Sequence, residues 1–440
     1  MTSTAADVRL DLGRIRARAT TVLQNNWNGS HTLPATGLYP HQWSWDSAFI
    51  AIGLARVSPR RAGQELDALL AGQWDDGRIP QIIFDPHRDQ DYSPGASFWR
   101  SELIDDSPDD VLTAGLVQPP NHAWAVWRVH KADPAASARR RFLERAYPRL
   151  VAWHRYLLTR RDRGGRGLAC IVHPWESGTD NSPLWDEALA TVPPETAAPI
   201  DRPDLDHADA SERPSQRDYG RYYHLAERYR DRQCDDSDPE YPFLLEDPAF
   251  NALLALSELA LAEIAETIGE DGERHRAQAR RIRAALAELF DARLGCFVAR
   301  DVTTGRPTSK ATINGLVPLL LPELPQREAL VSAVLGERFL GSGAVLVPSY
   351  DATAPDMDPR LYWRGPAWFN MNWMLILGLA NAGSPDVADR LAATSLRLAM
   401  TGDFPEYVNP WAETTHGTTH FSWTAALALE LIADPAHRVL

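Results

Sequence analysis

What most constrains this chain is the spacing of its apolar side chains, three and four residues apart, repeated from one end to the other. Residues 250–268 place Leu253, Leu256, Leu259, Ile264 and Ile268 along one helical face. Residues 272–291 follow with Ile282, Ala285, Leu286 and Leu289 in a stripe opposite a basic face. Comparable windows cover about 8–25, 46–56, 62–72, 108–117, 121–131, 137–159, 326–338, 366–382, 386–400 and 421–433, several running from a cap-like polar residue to a Gly or Pro. Strand-like runs are short and few, at 79–84, 295–299 and 344–348, and none recurs in a βαβ rhythm. Roughly a dozen helices without a low-complexity linker predict an all-α chain, a closed double ring of helices or (α/α)6 barrel, as one domain over residues 1–440. Its inner helices would hold the core and its loops would line one funnel-shaped face. The stretch 193–245 breaks the pattern, being rich in Asp, Arg, Pro and Tyr. Its tyrosines favour an ordered lid insertion on that face over a disordered one.

Charge narrows the partners. A net charge of −14 repels phosphate backbones, so nucleic acid is not expected. No continuous apolar run reaches the ~18 residues of a membrane span, and the N-terminus lacks the basic and apolar segments of a secretory signal. Cys170, Cys234 and Cys296 are widely spaced and match neither a zinc set nor a disulfide framework, which points to a reducing cytoplasm. There is no Gly-rich phosphate loop. The cluster of Asp85, His87, Asp89 and Asp91 lacks a metal-ligand spacing, so neither metal nor cofactor is expected. A homo-oligomer is compatible with the sequence and not required by it.

The chain carries 15 Trp, many beside Gly, Pro, Asp or Glu rather than inside apolar runs. Flat apolar rings with one N–H donor fill cores, and they also suit the faces of sugar rings. Loop segments of shared composition gather them: Tyr39-Pro-His-Gln-Trp-Ser-Trp-Asp46, His173-Pro-Trp-Glu-Ser-Gly-Thr-Asp-Asn-Ser-Pro183, Tyr362-Trp-Arg-Gly-Pro-Ala-Trp368, and Phe404-Pro-Glu-Tyr-Val-Asn-Pro410 with the following Phe421-Ser-Trp423. Each joins aromatics to a carboxylate or an Arg at a helix boundary, which suggests a common pocket. Cleaving a glycosidic bond needs a proton on the leaving oxygen and a nucleophile on the opposite face, and a carboxylate pair supplies both. Asp180, in the Gly-Thr-Asp-Asn-Ser-Pro turn, and Glu406, between Pro405 and Tyr407, are the leading candidates. Asp180 reads equally as a turn or helix cap, and Glu406 as a solvated loop carboxylate. Glu413 and Glu176 are their rivals, and Asp46 serves equally as a helix cap or as an acceptor for a sugar hydroxyl.

Taken in order, Tyr39–Asp46, Gln118-Pro-Pro-Asn121, Trp175–Pro183, Arg213-Pro-Ser-Gln-Arg-Asp-Tyr219, Tyr362–Trp368 and Glu406–Trp423 make the chain resemble the glycoside hydrolases of family 63. The resemblance spans about residues 30–435 and is nearest to the short bacterial branch that acts on glucosylglycerate and mannosylglycerate. It implies Asp180 as general acid, Glu406 as general base, and inversion at the anomeric carbon. It implies Tyr39, Trp43, Trp45, Asp46, Gln118, Trp175, Gly178 and Trp368 around the sugar, and Arg213, Tyr219, Tyr362 and Trp363 toward the leaving group. Arg213 would suit a glycerate carboxylate, although a structural pairing with Asp209 or Glu212 would serve the residue equally. The loop 411–419 departs from the family in lacking Thr-Gly after the Pro. The expected reaction is hydrolysis of a small α-linked glycoside, 2-O-α-glucosylglycerate foremost, with mannosylglycerate or a neutral disaccharide as alternatives. A sugar epimerase would use paired His residues that His41, His173 and His420 do not supply, and a binding protein without catalysis would be expected to have lost one acid.

Overall fold

A computed structural model describes residues 10–196, 200–206 and 209–440. Among these residues, α-helices of nine residues or more number twelve. They are α1 (Leu12–Asn25), α2 (Ser44–Leu54), α3 (Pro59–Ala71), α4 (His122–Ala132), α5 (Phe142–Thr159), α6 (Gln216–Asp231), α7 (Pro248–Thr267), α8 (Glu273–Leu286), α9 (Arg327–Leu335), α10 (Phe369–Asn381), α11 (Pro385–Thr401) and α12 (Ser422–Ala433).

Two rings emerge from who packs on whom. Helix α2 lies against α4, α4 against α7, α7 and α10 against the segment 317–320, α10 against α12, and α12 back against α2. That inner ring closes. The outer helices α1, α3, α5, α8, α9 and α11 lie against it, α1 bridging back onto α12. Composition sorts the helices between the rings. Every residue of α2 is buried, as is nearly all of α10 and α12, because an inner helix meets protein on all sides. Helices α3 and α11 bury one stripe only. Helix α7 is long and apolar enough to cross a membrane by length and composition alone, yet 89% of that window is buried inside the protein. One inner position departs from α-geometry: 313–315 and 317–320 are short 3-10 turns, with Pro318 removing a backbone donor. The architecture is the (α/α)6 barrel expected from the periodicity.

Three sequence expectations are corrected. Residues 108–117 form no helix. Thr113 bridges to Ile83, and backbone bonds link 112–116 to 81–84, so Ala114, Leu116 and Val117 are buried in extended backbone. Gly115 and the Pro pair at 119 and 120 oppose a helix there, and the extended form can use the free edge of 81–84. Residues 344–348 form no strand. The amide of Asn372 satisfies both backbone groups of Val347, replacing a ladder. The window 137–159 splits at Arg141, whose φ is 49°. Strands elsewhere are two residues long. Those that position the site are β1 (Gln42–Trp43), β2 (Ile82–Ile83), β3 (Ala367–Trp368), β4 (Tyr407–Val408) and β5 (Thr415–His416). β1 pairs with β2, while β3–β4–β5 form an antiparallel sheet with β4 in the middle.

Candidate active site

The loops leading into the inner helices meet in one cleft of about 840 Å³, its open mouth included. All of the site residues named from the sequence border it: Tyr39, Trp43, Trp45, Asp46, Gln118, Trp175, Gly178, Asp180, Arg213, Tyr219, Tyr362, Trp363, Trp368 and Glu406. Sequence reasoning did not single out Gln81, Tyr92 or Asp204, which border it too, and it named Phe421 and Trp423 only as part of a loop segment. Gln81 stands beside the apolar run that reads as core. Asp204 lies in the irregular stretch before α6, where spacing carries no signal.

Local chemistry fixes each wall. β1 hands the chain to α2 so that Trp43 and Trp45 flank Ser44, and Asp46 falls in the first helical turn, where the helix dipole favours a carboxylate. The Asp180 turn is held by its neighbours. His173 Nδ1 accepts the N–H of Trp175, Ser177 Oγ accepts that of Thr179, Asn181 Oδ1 accepts that of Trp363, and Ser182 caps 183–185. Those contacts leave the capping work to other side chains and the Asp180 carboxyl to the cleft. Trp363 and Trp368 stack with ring centroids 3.8 Å apart and 4° between planes. Trp368 Nε1–H donates to the Tyr362 carbonyl, which completes a rigid aromatic wall.

Glu406 precedes β4 and is buried. Its Oε1 accepts the Tyr39 hydroxyl at 2.8 Å, and its Oε2 accepts the Thr418 N–H at 3.2 Å. Gly417, at φ 67°, leaves room for that carboxylate, and a Cβ there would collide with Oε2. The rivals are tied up elsewhere. Glu413 is clamped by both terminal nitrogens of Arg397 on α11, at 2.6 and 2.9 Å, and this pairing holds it below its usual range. Glu176 lies beneath the site, paired with buried Arg161 and accepting the N–H groups of Val117 and Val172.

The electrostatics follow from burial. Asp180 is pushed up to about 7 by desolvation, against the pull of Arg213. Burial also raises Glu406, opposed by Arg213, the Tyr39 hydroxyl and the Thr418 N–H. Asp46 is raised well above the usual carboxylate range by burial, with Glu406 adding to the effect. Among the described lining residues Arg213 is the one cation. It lies 4.6 Å over the Tyr362 ring, with Nη1 3.4 Å from the Tyr39 hydroxyl and Nη2 3.6 Å from Glu406 Oε2. Its Nε and Nη2 donors are buried and, among the described residues, have no hydrogen-bond partner. Neither acid offered as a structural partner takes that role, since Asp209 accepts from Ser211 and Glu212 pairs with His416. Among the described residues no group of three His, Cys, Asp or Glu side chains could hold a metal ion.

Residues 39–424 match the family described as the mannosylglycerate hydrolase MGH1-like glycoside hydrolase domain. A mannosylglycerate hydrolase of Rubrobacter radiotolerans is 39% identical over 428 residues, covering 95% of this chain and 96% of the relative. A glucosylglycerate hydrolase of Mycolicibacterium hassiacum is 39% identical over 438 residues, covering 95% and 97%. The crystal structure of the GH63 mannosylglycerate hydrolase of Thermus thermophilus in complex with Tris and D-glycerate superposes with a TM-score of 0.88 at 38% identity, over 94% of this chain and 99% of that one.

Proposed function

The chain belongs to the MGH1-like glycoside hydrolases of family 63, and from that premise we propose that it hydrolyses a 2-O-α-glycosylglycerate, glucosylglycerate foremost, by a single inverting displacement. The observation that carries this reading is Arg213. A buried guanidinium whose Nε and Nη2 make no hydrogen bond among the described residues, with only Glu406 at 3.6 Å as its ion-pair partner there, gains more from an anionic acceptor than from a neutral hydroxyl. A glycerate carboxylate would accept both donors in a two-pronged bond. Mannosylglycerate is the second reading, favoured because the similar proteins include hydrolases of both glycosides.

In this reading Asp180, protonated because burial lifts it to about 7, gives its proton to the glycosidic oxygen as the C–O bond breaks. Glu406 takes a proton from a water that attacks the anomeric carbon from the opposite face. Tyr39 and the Thr418 N–H favour the ionised form of Glu406 against the burial that raises it, each stabilising one carboxylate oxygen. The products are the free β-anomer and glycerate. Asp46, whose carboxyl burial raises well above the usual carboxylate range, would meet a sugar hydroxyl, and the Trp walls would sandwich the ring. The stretch around α6 supplies Asp204, Arg213 and Tyr219 to the cleft, and we read it as the lid.

The test is a hydrolysis panel of glucosylglycerate, mannosylglycerate, glucosylglycerol and trehalose, with the first-formed anomer followed by proton NMR. Arg213→Ala should raise KM on the glycerate glycoside about ten- to a hundredfold, the worth of one charged hydrogen-bonded pair at roughly 1.5–3 kcal/mol. It should matter far less on glucosylglycerol. Equal losses on both substrates, or a first-formed α-anomer, would overturn the proposal.

A further inference from the structure

The loop carrying the base and the segment carrying Arg213 meet at one carboxylate that does not border the cleft. Glu212 ends the short 3-10 turn Ala210–Glu212, immediately before Arg213. Its Oε1 lies 2.6 Å from His416 Nδ1, and its Oε2 accepts the Gly417 N–H at 3.2 Å. His416 is braced in turn. Its Nε2 lies 3.2 Å from the Thr414 hydroxyl, and its ring lies nearly parallel to Tyr407, 6.1 Å away. The next residue beyond the grip, Thr418, bonds Glu406 twice, by its N–H to Oε2 and by its carbonyl to the Glu406 N–H at 2.8 Å. On the other side of the grip, one residue away, Arg213 reaches to 3.6 Å from the same Glu406 Oε2.

We propose that Glu212 and His416 are positioning residues that register the leaving-group arginine against the general base. The inference rests on the roles given above to Arg213 and Glu406. Its physical basis is the two-pronged geometry. A carboxylate that accepts from a ring nitrogen and from the adjacent backbone N–H fixes the loop in both translation and rotation. The pair is also partly withdrawn from water, with side-chain exposures of 17% for Glu212 and 10% for His416. A hydrogen bond so shielded competes less with water than one at an exposed surface. Neither residue touches the cleft, so neither contacts substrate. Losing either one frees two loops at once and lets the arginine and the base drift apart, which raises KM on a glycerate glycoside and lowers kcat together.

A double-mutant cycle tests the assignment on the full-length enzyme, with kcat and KM measured for Glu212→Ala, His416→Ala and the double variant. Each single change should lower kcat/KM on glucosylglycerate about tenfold, and the double variant should be no worse than either. Glu212→Gln, which keeps the shape and the acceptor for Gly417, should restore part of the loss. Hydrogen exchange supplies a readout independent of substrate: in Glu212→Ala, segments 209–215 and 414–418 should gain exchange together. Glu413→Ala, which cuts the same loop from Arg397 instead, should leave 209–215 protected. Additive losses, or faster exchange confined to the mutated segment, would overturn the positioning role. Should the wild-type enzyme leave every glycerate glycoside intact, the proposed function falls while the exchange experiment still decides whether the two segments are coupled.

Discussion

Asp180 and Glu406 sit in one cleft with, among its described residues, a single guanidinium, and their titration should be visible in catalysis. Burial pushes Asp180 up to about 7. As the acid it must be protonated, so activity should fall as pH rises through about 7. Burial also raises Glu406, which as the base must be ionised, so activity should fall as pH drops through that raised value. The profile of kcat/KM should be a bell with its basic limb near neutrality, and Asp180→Asn should abolish that limb along with most of the rate. A basic limb above about pH 9 would show that another group donates the proton. Glu406→Gln keeps the shape and loses the basicity, so kcat should fall by at least ~10²-fold with KM little changed. Glu413→Gln serves as the comparison, since Arg397 holds Glu413 on the outer helix α11, and its activity should stay near wild type. A reversal of these two results would move the base to Glu413.

At the scale of elements, the stretch read from sequence as irregular contains α6, a sixteen-residue helix. Its apolar stripe is written in tyrosine: Tyr219, Tyr222, Tyr223 and Tyr229, with Ala226 between them, recur at helical spacing, and all but Tyr219 are buried. A search for Leu and Ile spacing passes over it, because tyrosine is an intermediate helix former whose ring buries while its hydroxyl seeks a partner. The start signal was nonetheless present. Ser215 caps the Asp218 N–H, and the Asp218 carboxylate answers at the Ser215 N–H, a reciprocal capping box. Ser215→Ala should cost α6 about 1 kcal/mol. Limited proteolysis should then cut between 200 and 232 several times faster, at an almost unchanged global melting temperature. Unchanged cleavage would mean that packing alone holds the helix. The window 108–117 erred the other way, since helical spacing over so few residues also fits a buried extended run, and Gly115 with Pro119 and Pro120 decides for the latter.

At the scale of the whole molecule, ring closure depends on how closely α2 and α12 approach. Gly53 lies against the Ala426 backbone, and a Cβ at position 53 would overlap it. Gly to Ala inside a helix ordinarily stabilises by about 0.5–1 kcal/mol. Here overpacking at ~1–3 kcal/mol or more outweighs that gain and reverses the sign. Gly53→Ala should therefore lower the denaturation midpoint, and a raised midpoint would mean that the two helices can separate at no cost.

The sequence by itself determined the helical class, the closed barrel and most of the residues that border the cleft. Local spacing specifies a helix, a helix apolar all round must be inner, and loops at the ends of inner helices must converge. What it left open, tertiary structure decided, because partner identity is a long-range fact. Glu413 and Glu406 are alike in sequence, each a carboxylate in one aromatic loop. Only the fold puts Arg397 beside one and Tyr39, Arg213 and the Thr418 N–H around the other. Arg213 had Asp209 and Glu212 for neighbours along the chain, yet the turn at 210–212 sends Glu212 to His416 and leaves the guanidinium facing the cleft with donors to spare. Charge states and hydrogen-bond partners depend on burial and on contacts between residues far apart in the chain, which no local pattern encodes.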